Sequence, residues 1–189
     1  MQRQSKWLKY FRRFGREGRM AMLANNQLLE SIVKVCRVLN NHNIDYLIVG
    51  GSAVAYYGYF RHSITMAGLP ADRPDIDIWY SPTYTNYFKL LDALVTLGQD
   101  VAIFKNEQAP NPRKSFFRYE FDLFTLDLLP SIKSAISFGP AFARREIIEV
   151  NGADISFINF EDLIADKEST ARPKDIDDIQ RLRDSHEEN

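Results

Sequence analysis

The feature that most constrains the fold is a stretch in which acidic and apolar side chains alternate, Asp75-Ile76-Asp77-Ile78, followed by Trp79-Tyr80. Such alternation is typical of a β-strand with one face in the core, because successive side chains point to opposite faces of a sheet. The carboxylates of Asp75 and Asp77 must therefore lie side by side. Two adjacent like charges repel each other, and a hard divalent cation such as Mg²⁺ would relieve that repulsion. The alternative is an exposed strand whose polar face happens to carry two acids.

A second strand is predicted by the apolar run 44–49, which ends in Gly50-Gly51-Ser52 and opens a short helix. Glycines allow a tight turn and let a phosphate approach the backbone amides, while a helix start adds free N–H groups. Ser52 would add a hydroxyl. An ordinary strand-to-helix turn is the alternative, because this turn lacks the third glycine of a dinucleotide-binding loop and the lysine of a P-loop.

A third acid, Asp127, stands inside the apolar stretch 124–129, which also predicts a strand. A buried lone carboxylate is costly unless it binds a metal or a hydrogen-bonding partner. Asp127 could therefore join the same metal site, or it could simply pair with a nearby arginine. A phosphate-binding turn and three acids on neighbouring strands supply what a two-metal phosphoryl or nucleotidyl transfer needs.

The remaining pattern predicts an α/β (α+β) domain with a mixed central sheet flanked by helices. Residues 60–74 predict a long loop that separates Arg61 from the acid pair, and residues 131–144 give no clear pattern. The other predicted elements are a helix at 26–40 capped by Asn26, a helix that starts at Ser81-Pro82 and ends at Gly98, strands at 101–104 and 116–120, a hairpin at 146–158 around Asn151-Gly152, and helices at 160–169 and 173–183.

Composition excludes several classes of protein. Hydrophobic residues make up 45% of the 189 residues, which is enough for an ordered core, and the net charge of −1 gives no global attraction to nucleic acid. The single cysteine, Cys36, excludes an internal disulfide and a thiolate zinc cage, and it falls on the buried stripe of a predicted helix. We therefore expect a cytoplasmic protein with no integral membrane contact.

The first 23 residues differ from the rest, so we divide the chain into an N-terminal arm at 1–23 and a domain at 24–189. The arm is basic, and its aromatic residues recur on one side of a predicted helix: Trp7, Tyr10, Phe11 and Phe14. Such a helix could bind an anionic membrane surface, a nucleic acid or a partner protein. It could equally pack on its own domain or remain weakly ordered.

The segments YLIVGGSAVAYYGY, DIDIWY, LDLL and FEDLIADKESTARPKDIDDIQRL resemble those of small bacterial nucleotidyltransferase-fold proteins. These belong to the DNA polymerase β-like superfamily, near the minimal nucleotidyltransferases of toxin–antitoxin systems and the abortive-infection toxins. The resemblance covers residues 26–183. It implies nucleotide phosphate binding at Gly50, Gly51 and Ser52 and Mg²⁺ binding at Asp75, Asp77 and Asp127. It also implies triphosphate or substrate contacts at Lys167, Arg172, Lys174 and Asp178, whose alternative is a solvated helix face with ion pairs one turn apart.

The resemblance implies an Mg²⁺-dependent enzyme, with Mn²⁺ as a possible substitute, that transfers NMP from an NTP to a hydroxyl. The acceptor could be RNA, a protein or a small molecule, and the resemblance implies a setting in a toxin–antitoxin or defence system. The alternative is a catalytically weak or inactive binding module that holds a cognate toxin or antitoxin protein.

Overall fold

The computed structural model describes residues 16–57 and 73–187. Its centre is a six-stranded sheet in the order β3-β4-β2-β1-β6-β5. The strands are β1 (Tyr46–Ile48), β2 (Asp75–Tyr80), β3 (Phe117–Glu120), β4 (Thr125–Leu129), β5 (Glu146–Val150) and β6 (Ala153–Phe157). Pairing is parallel for β2 with β4 and for β1 with β6, and antiparallel for the other neighbours. The predicted mixed sheet is therefore confirmed.

Helices flank this sheet. They are α1 (Arg16–Asn41), α2 (Gly50–Tyr56), α3 (Tyr84–Thr96), α4 (Ala102–Lys105), α5 (Phe138–Ala143), α6 (Phe160–Thr170) and α7 (Pro173–Glu187). The apolar core includes both faces of the central strands, where Leu47, Ile76, Ile78 and Leu126 are fully buried. None of the helices in the described ranges is long and apolar enough to cross a bilayer.

Helix α1 begins well before the predicted start. Asn26 lies inside it rather than at its cap, so that prediction is wrong, and the helix continues through the proposed boundary at 23/24. Cys36 is fully buried, as predicted, and burial raises the pKa of its thiol to about 12. The aromatic face of the arm at 7–14 lies outside the described residues, as do Gly58, Arg61 and nearly all of the loop 60–74.

Helix α3 begins two residues later than its Ser81-Pro82 signal predicts. Thr83 is the cap, and its hydroxyl accepts a hydrogen bond from the backbone N–H of Asn86. The predicted apolar face is only partly buried. Three of its members are buried, Tyr87, Leu91 and Leu94, and three are exposed, Tyr84, Phe88 and Val95.

The strand predicted at 101–104 is wrong, because this segment forms the single turn α4. The Asp100 side chain accepts a hydrogen bond from the N–H of Ala102, which starts the turn. Phe104 then packs edge-to-face on Phe117, with ring centroids 4.8 Å apart. The unassigned segment 131–144 contains helix α5.

The hairpin of β5 and β6 is confirmed. Its turn residues, Asn151 and Gly152, have φ angles of 51° and 74°, in the left-handed region that a two-residue hairpin turn requires. The predicted strands at 44–49, 75–80, 116–120 and 124–129 and both closing helices are also present with small shifts at their ends.

Candidate functional site

Three acids occupy one face of the sheet on two neighbouring strands. In the parallel pairing of β2 with β4, Asp77 stands directly opposite Asp127, and Asp75 stands opposite Thr125. Strand side chains alternate between faces, so Asp75, Asp77 and Asp127 point to the same side. The structure therefore brings together the three acids that the sequence motifs single out.

The glycine turn packs directly against this acid face. Gly50 has a φ of +60°, a conformation that favours glycine, and a Cβ built there would lie 2.8 Å from Asp77 Cγ and closer still to Oδ2. The Gly51 N–H donates a hydrogen bond to the Asp77 carboxylate. Ser52 is buried, and its hydroxyl has no hydrogen-bond partner among the described residues. The two glycines therefore act differently on Asp77. Gly50 leaves the space that its carboxylate occupies, and Gly51 donates a hydrogen bond to it.

Burial and neighbouring charges shift the pKa values of Asp77 and Asp127. Burial, followed by the negative charges of Asp127 and Asp75, raises the pKa of Asp77 to about 6. The positive charge of Lys167 and the hydrogen bond from Gly51 oppose that rise. Burial also raises the pKa of Asp127, against the lowering effect of a nearby arginine, Arg118. The arrangement thus stores electrostatic repulsion that a bound cation would remove.

Arg118 is a member of the site that the sequence motifs miss. It lies on β3 directly opposite Asp127 in the antiparallel pairing of β3 with β4. Its Nη1 is 2.9 Å from Asp127 Oδ2, and its Nη2 is 3.4 Å from Asp75 Oδ1. The other Asp127 oxygen, Oδ1, is buried without a hydrogen-bond partner. Arg118 thus provides the arginine pairing that is the alternative to a metal at Asp127. It contacts only one of the two carboxylate oxygens of Asp127.

Lys167 lies in a buried ion network where helices α6 and α7 meet. Its Nζ is 2.8 Å from Asp178 Oδ2 and 3.2 Å from Asp175 Oδ1, and both acids are fully buried. Arg172 Nε donates to Asp175 Oδ2 over 2.6 Å, and the Thr170 hydroxyl donates to the same oxygen. Lys167 therefore connects the closing helices to the acid face through its charge on Asp77.

This network differs from the solvated helix face that is the alternative interpretation of the closing segment. The solvated helix face is wrong for Lys167 and Asp178, because both are buried. Arg172 keeps an exposed guanidinium beside Asp175, and Lys174 is half-buried on the first turn of α7. The predicted contacts of Lys167, Arg172, Lys174 and Asp178 with a triphosphate or substrate remain predictions.

The donor atoms fit a cation that binds few protein groups. Among residues 16–57 and 73–187, no three histidine, cysteine, aspartate or glutamate side chains are grouped so that together they could hold a metal ion. Mg²⁺ does not require such a group, because it commonly takes one or two carboxylates and completes its shell with phosphate oxygens and water. The unpartnered Asp127 Oδ1, together with the repulsion between the acids, is consistent with that kind of site.

No protein-family model matches this chain, and no curated protein matches it. Several solved structures match this chain, and they include the following two. The antibiotic-resistance factor ANT(2'')-Ia is 16% identical, with 84% of each chain covered and a TM-score of 0.49. An antigenic nucleotidyltransferase-like protein from Paracoccidioides brasiliensis is 15% identical, with 83% of this chain and 75% of that chain covered and a TM-score of 0.47. Because both TM-scores are below 0.5, neither likeness supports an argument about function.

Proposed function

We propose that this protein is an Mg²⁺-dependent nucleotidyltransferase that moves NMP from an NTP to a hydroxyl acceptor. The observation that carries the proposal is the alignment of Asp77 with Asp127 on parallel strands, with Asp75 on the same face and the glycine turn packed against Asp77. Carboxylates clustered in a partly buried site are typical of sites that bind a divalent cation and phosphate.

Asp75, Asp77 and Asp127 are the candidate carboxylates for Mg²⁺, or Mn²⁺ in its place, and one or two of them would bind the ion directly. A bound ion would neutralise phosphate charge and favour ionisation of the attacking hydroxyl. That hydroxyl oxygen attacks the α-phosphorus, the bond from this phosphorus to the bridging oxygen breaks, and pyrophosphate leaves. Asp127 Oδ1, which is buried and unpartnered, is the atom suited to accept the hydroxyl proton.

Phosphate binding is assigned to the turn formed by Gly50, Gly51 and Ser52. The Gly51 N–H already donates a hydrogen bond to Asp77. The buried Ser52 hydroxyl is therefore the group of the turn best suited to donate a hydrogen bond to a phosphate oxygen. Arg172 and Lys174 would add positive charge from the closing segment. Lys167 would act on the site through its charge, because its Nζ already binds Asp175 and Asp178.

The acceptor in this proposal is a hydroxyl on RNA, a protein or a small molecule, in a cytoplasmic toxin–antitoxin or defence system. The cytoplasmic setting is supported by the lone cysteine, Cys36, which is buried and unable to form an internal disulfide. The defence setting rests on the resemblance of the sequence motifs.

A second candidate is a catalytically weak or inactive binding module that holds a cognate toxin or antitoxin protein. The observation in its favour is Arg118, which partly neutralises Asp75 and Asp127 without a metal. A site satisfied in this way could preserve the fold while its chemistry is lost.

The test is transfer of label from each NTP in turn, with Mg²⁺ or Mn²⁺, with and without RNA and cell lysate. We expect wild type to label an acceptor and Asp77→Asn to label it at least ~100-fold less, because the metal site supplies several kcal/mol of transition-state stabilisation. Asp92→Asn is the matched control, since Asp92 is an exposed acid that pairs with Lys105 on the surface. Equal labelling by wild type and Asp77→Asn would refute the mechanism. No labelling by either, with tight binding of a neighbouring gene product, would favour the binding module.

A further inference from the structure

Arg118 reaches the acid face from the edge of the sheet. Strand β3 is the edge strand, and its antiparallel register sets Arg118 opposite Asp127. The parallel register of the next pair sets Asp127 opposite Asp77. Residues directly opposite each other share a face, so the guanidinium and all three carboxylates lie on one side of three adjacent strands.

The guanidinium divides its two terminal nitrogens between acids on different strands. Nη1 binds Asp127 on β4, while Nη2 is near Asp75 on β2. The Arg118 side chain is 52% exposed, whereas that of Asp127 is only 12% exposed. The arginine is therefore the part of this cluster that has room to leave.

Arg118 competes for the carboxylates that a cation would bind. It occupies Asp127 Oδ2 and approaches Asp75 Oδ1, so a divalent cation held by these two carboxylates would compete with the guanidinium for their charge. Two other polar atoms of the site have no hydrogen-bond partner among the described residues. They are Asp127 Oδ1 and Ser52 Oγ, and both residues are buried. Buried polar atoms without partners are costly, so a ligand or an ordered water is expected to complete their hydrogen bonding.

We infer that Arg118 is a displaceable counter-ion. It holds Asp75 and Asp127 in the metal-free protein, yields their oxygens to the divalent cation, and then binds a phosphate of the nucleotide. A planar guanidinium suits both tasks, because it binds carboxylate and phosphate oxygens with the same pair of N–H groups. This inference rests on the proposed function and makes Arg118 a positioning residue for the cation and the triphosphate.

The test compares wild type with Arg118→Gln in two binding experiments. Mn²⁺ binding is followed by the electron paramagnetic resonance signal of the free ion. Binding of inorganic triphosphate at saturating Mn²⁺ is followed by calorimetry, which keeps base preference out of the measurement. Arg73→Gln is the matched control, because Arg73 lies on the same edge and contacts Glu120 and the Phe121 carbonyl instead of the acid face.

We expect opposite effects in the two experiments. Arg118→Gln removes the competitor and should tighten Mn²⁺ binding by about 10-fold, while the lost phosphate contact should weaken triphosphate binding by about 10-fold. Arg73→Gln should change each by less than about 2-fold, since it removes only an exposed pair. Arg118→Lys keeps the charge but not the fork, so it should fall between wild type and Arg118→Gln in both.

Thermal unfolding separates this role from a merely structural one. In chelator, Arg118→Gln should unfold at a lower temperature than wild type, because Asp75 and Asp127 lose their shared cation. Saturating Mn²⁺ should close that gap, since the metal replaces the arginine. A gap that stays the same with Mn²⁺ would overturn the inference.

The outcomes distinguish this inference from the proposed function. Wild-type Mn²⁺ binding that is lost in Asp127→Asn, but equal or weaker in Arg118→Gln, would overturn the inference and leave the metal site standing. Unchanged triphosphate binding in Arg118→Gln would overturn the phosphate role. No Mn²⁺ binding by wild type or by Arg118→Gln would refute both the inference and the proposed function.

Discussion

Replacing Gly50 with alanine tests the contact between the glycine turn and the acid face. At a φ of +60°, alanine costs about 1–2 kcal/mol more than glycine. The new Cβ would also lie 2.8 Å from Asp77 Cγ, so either the turn or the carboxylate must move. Overpacking of this kind costs about 1–3 kcal/mol. We therefore expect Gly50→Ala to lower the free energy of unfolding by about 2–5 kcal/mol, a large share of the stability of an ordinary domain.

The neighbouring glycine supplies a matched control. A Cβ on Gly51 would meet no atom of the described residues within 4 Å, and Gly51 lies in helix α2. Gly51→Ala should therefore leave stability unchanged or raise it by about 0.5–1 kcal/mol, because alanine is the better helix former. The assay is urea unfolding followed by circular dichroism, analysed by linear extrapolation for both variants.

The same pair tests whether the turn positions the chemistry. If Gly50→Ala displaces Asp77, labelling per folded molecule should fall by about 100-fold, while Gly51→Ala should retain most of it. Unfolding free energies of the two variants within about 0.5 kcal/mol of each other, the usual spread of surface substitutions, would refute this explanation of the turn.

Two further predictions concern the buried network around Lys167. Lys167→Met removes the cation shared by Asp175 and Asp178, so it should lower the free energy of urea unfolding by about 3–5 kcal/mol. The control Arg183→Met should lower it by less than about 1 kcal/mol, because the pair of Arg183 with Glu168 is exposed. Equal losses of unfolding free energy in the two variants would contradict the explanation that burial makes the Lys167 network important. Although burial opposes it, hydrogen bonds from Arg172 and Thr170 and the charge of Lys167 lower the pKa of Asp175. The unfolded chain therefore takes up a proton at higher pH than the native state, so stability should decline as pH falls below about 4. Asp175→Asn should flatten that decline in acid unfolding curves, and an unchanged slope would exclude Asp175 as its source.

The buried network changes how the closing helices relate to the site. A resemblance of motifs implied that Lys167 touches the triphosphate directly, yet its Nζ binds two buried carboxylates. Its charge still lowers the pKa of Asp77, so substitution of Lys167 should affect the site and the stability of the fold together. The exposed Arg172 side chain donates hydrogen bonds to Asp175, and its contact with a ligand stays a prediction.

Local patterns in the sequence determined most of the elements. The alternation at 75–80 predicted β2 with its bounds, because the period of two follows from the geometry of a strand alone. The glycine pair predicted the tight turn at the start of α2, and Asn151-Gly152 predicted the hairpin, because left-handed backbone conformations favour few residue types. Predictions failed where a neighbouring side chain decided the outcome. Thr83 caps α3 in place of Ser81, and Asp100 starts a helical turn at residues predicted to form a strand.

Only the tertiary structure decided which partners the functional side chains have. That Asp75 and Asp77 share a face follows from their spacing, but the position of Asp127 opposite Asp77 depends on the order and register of β2 and β4. Arg118 carries no motif, and it joins the site because β3 pairs with β4 in one particular register. Lys167 meets Asp178 because two helices pack together and exclude water. Contacts of this kind join different strands and helices, and the free energy that selects them is that of the assembled core, to which the pattern within any one element contributes little.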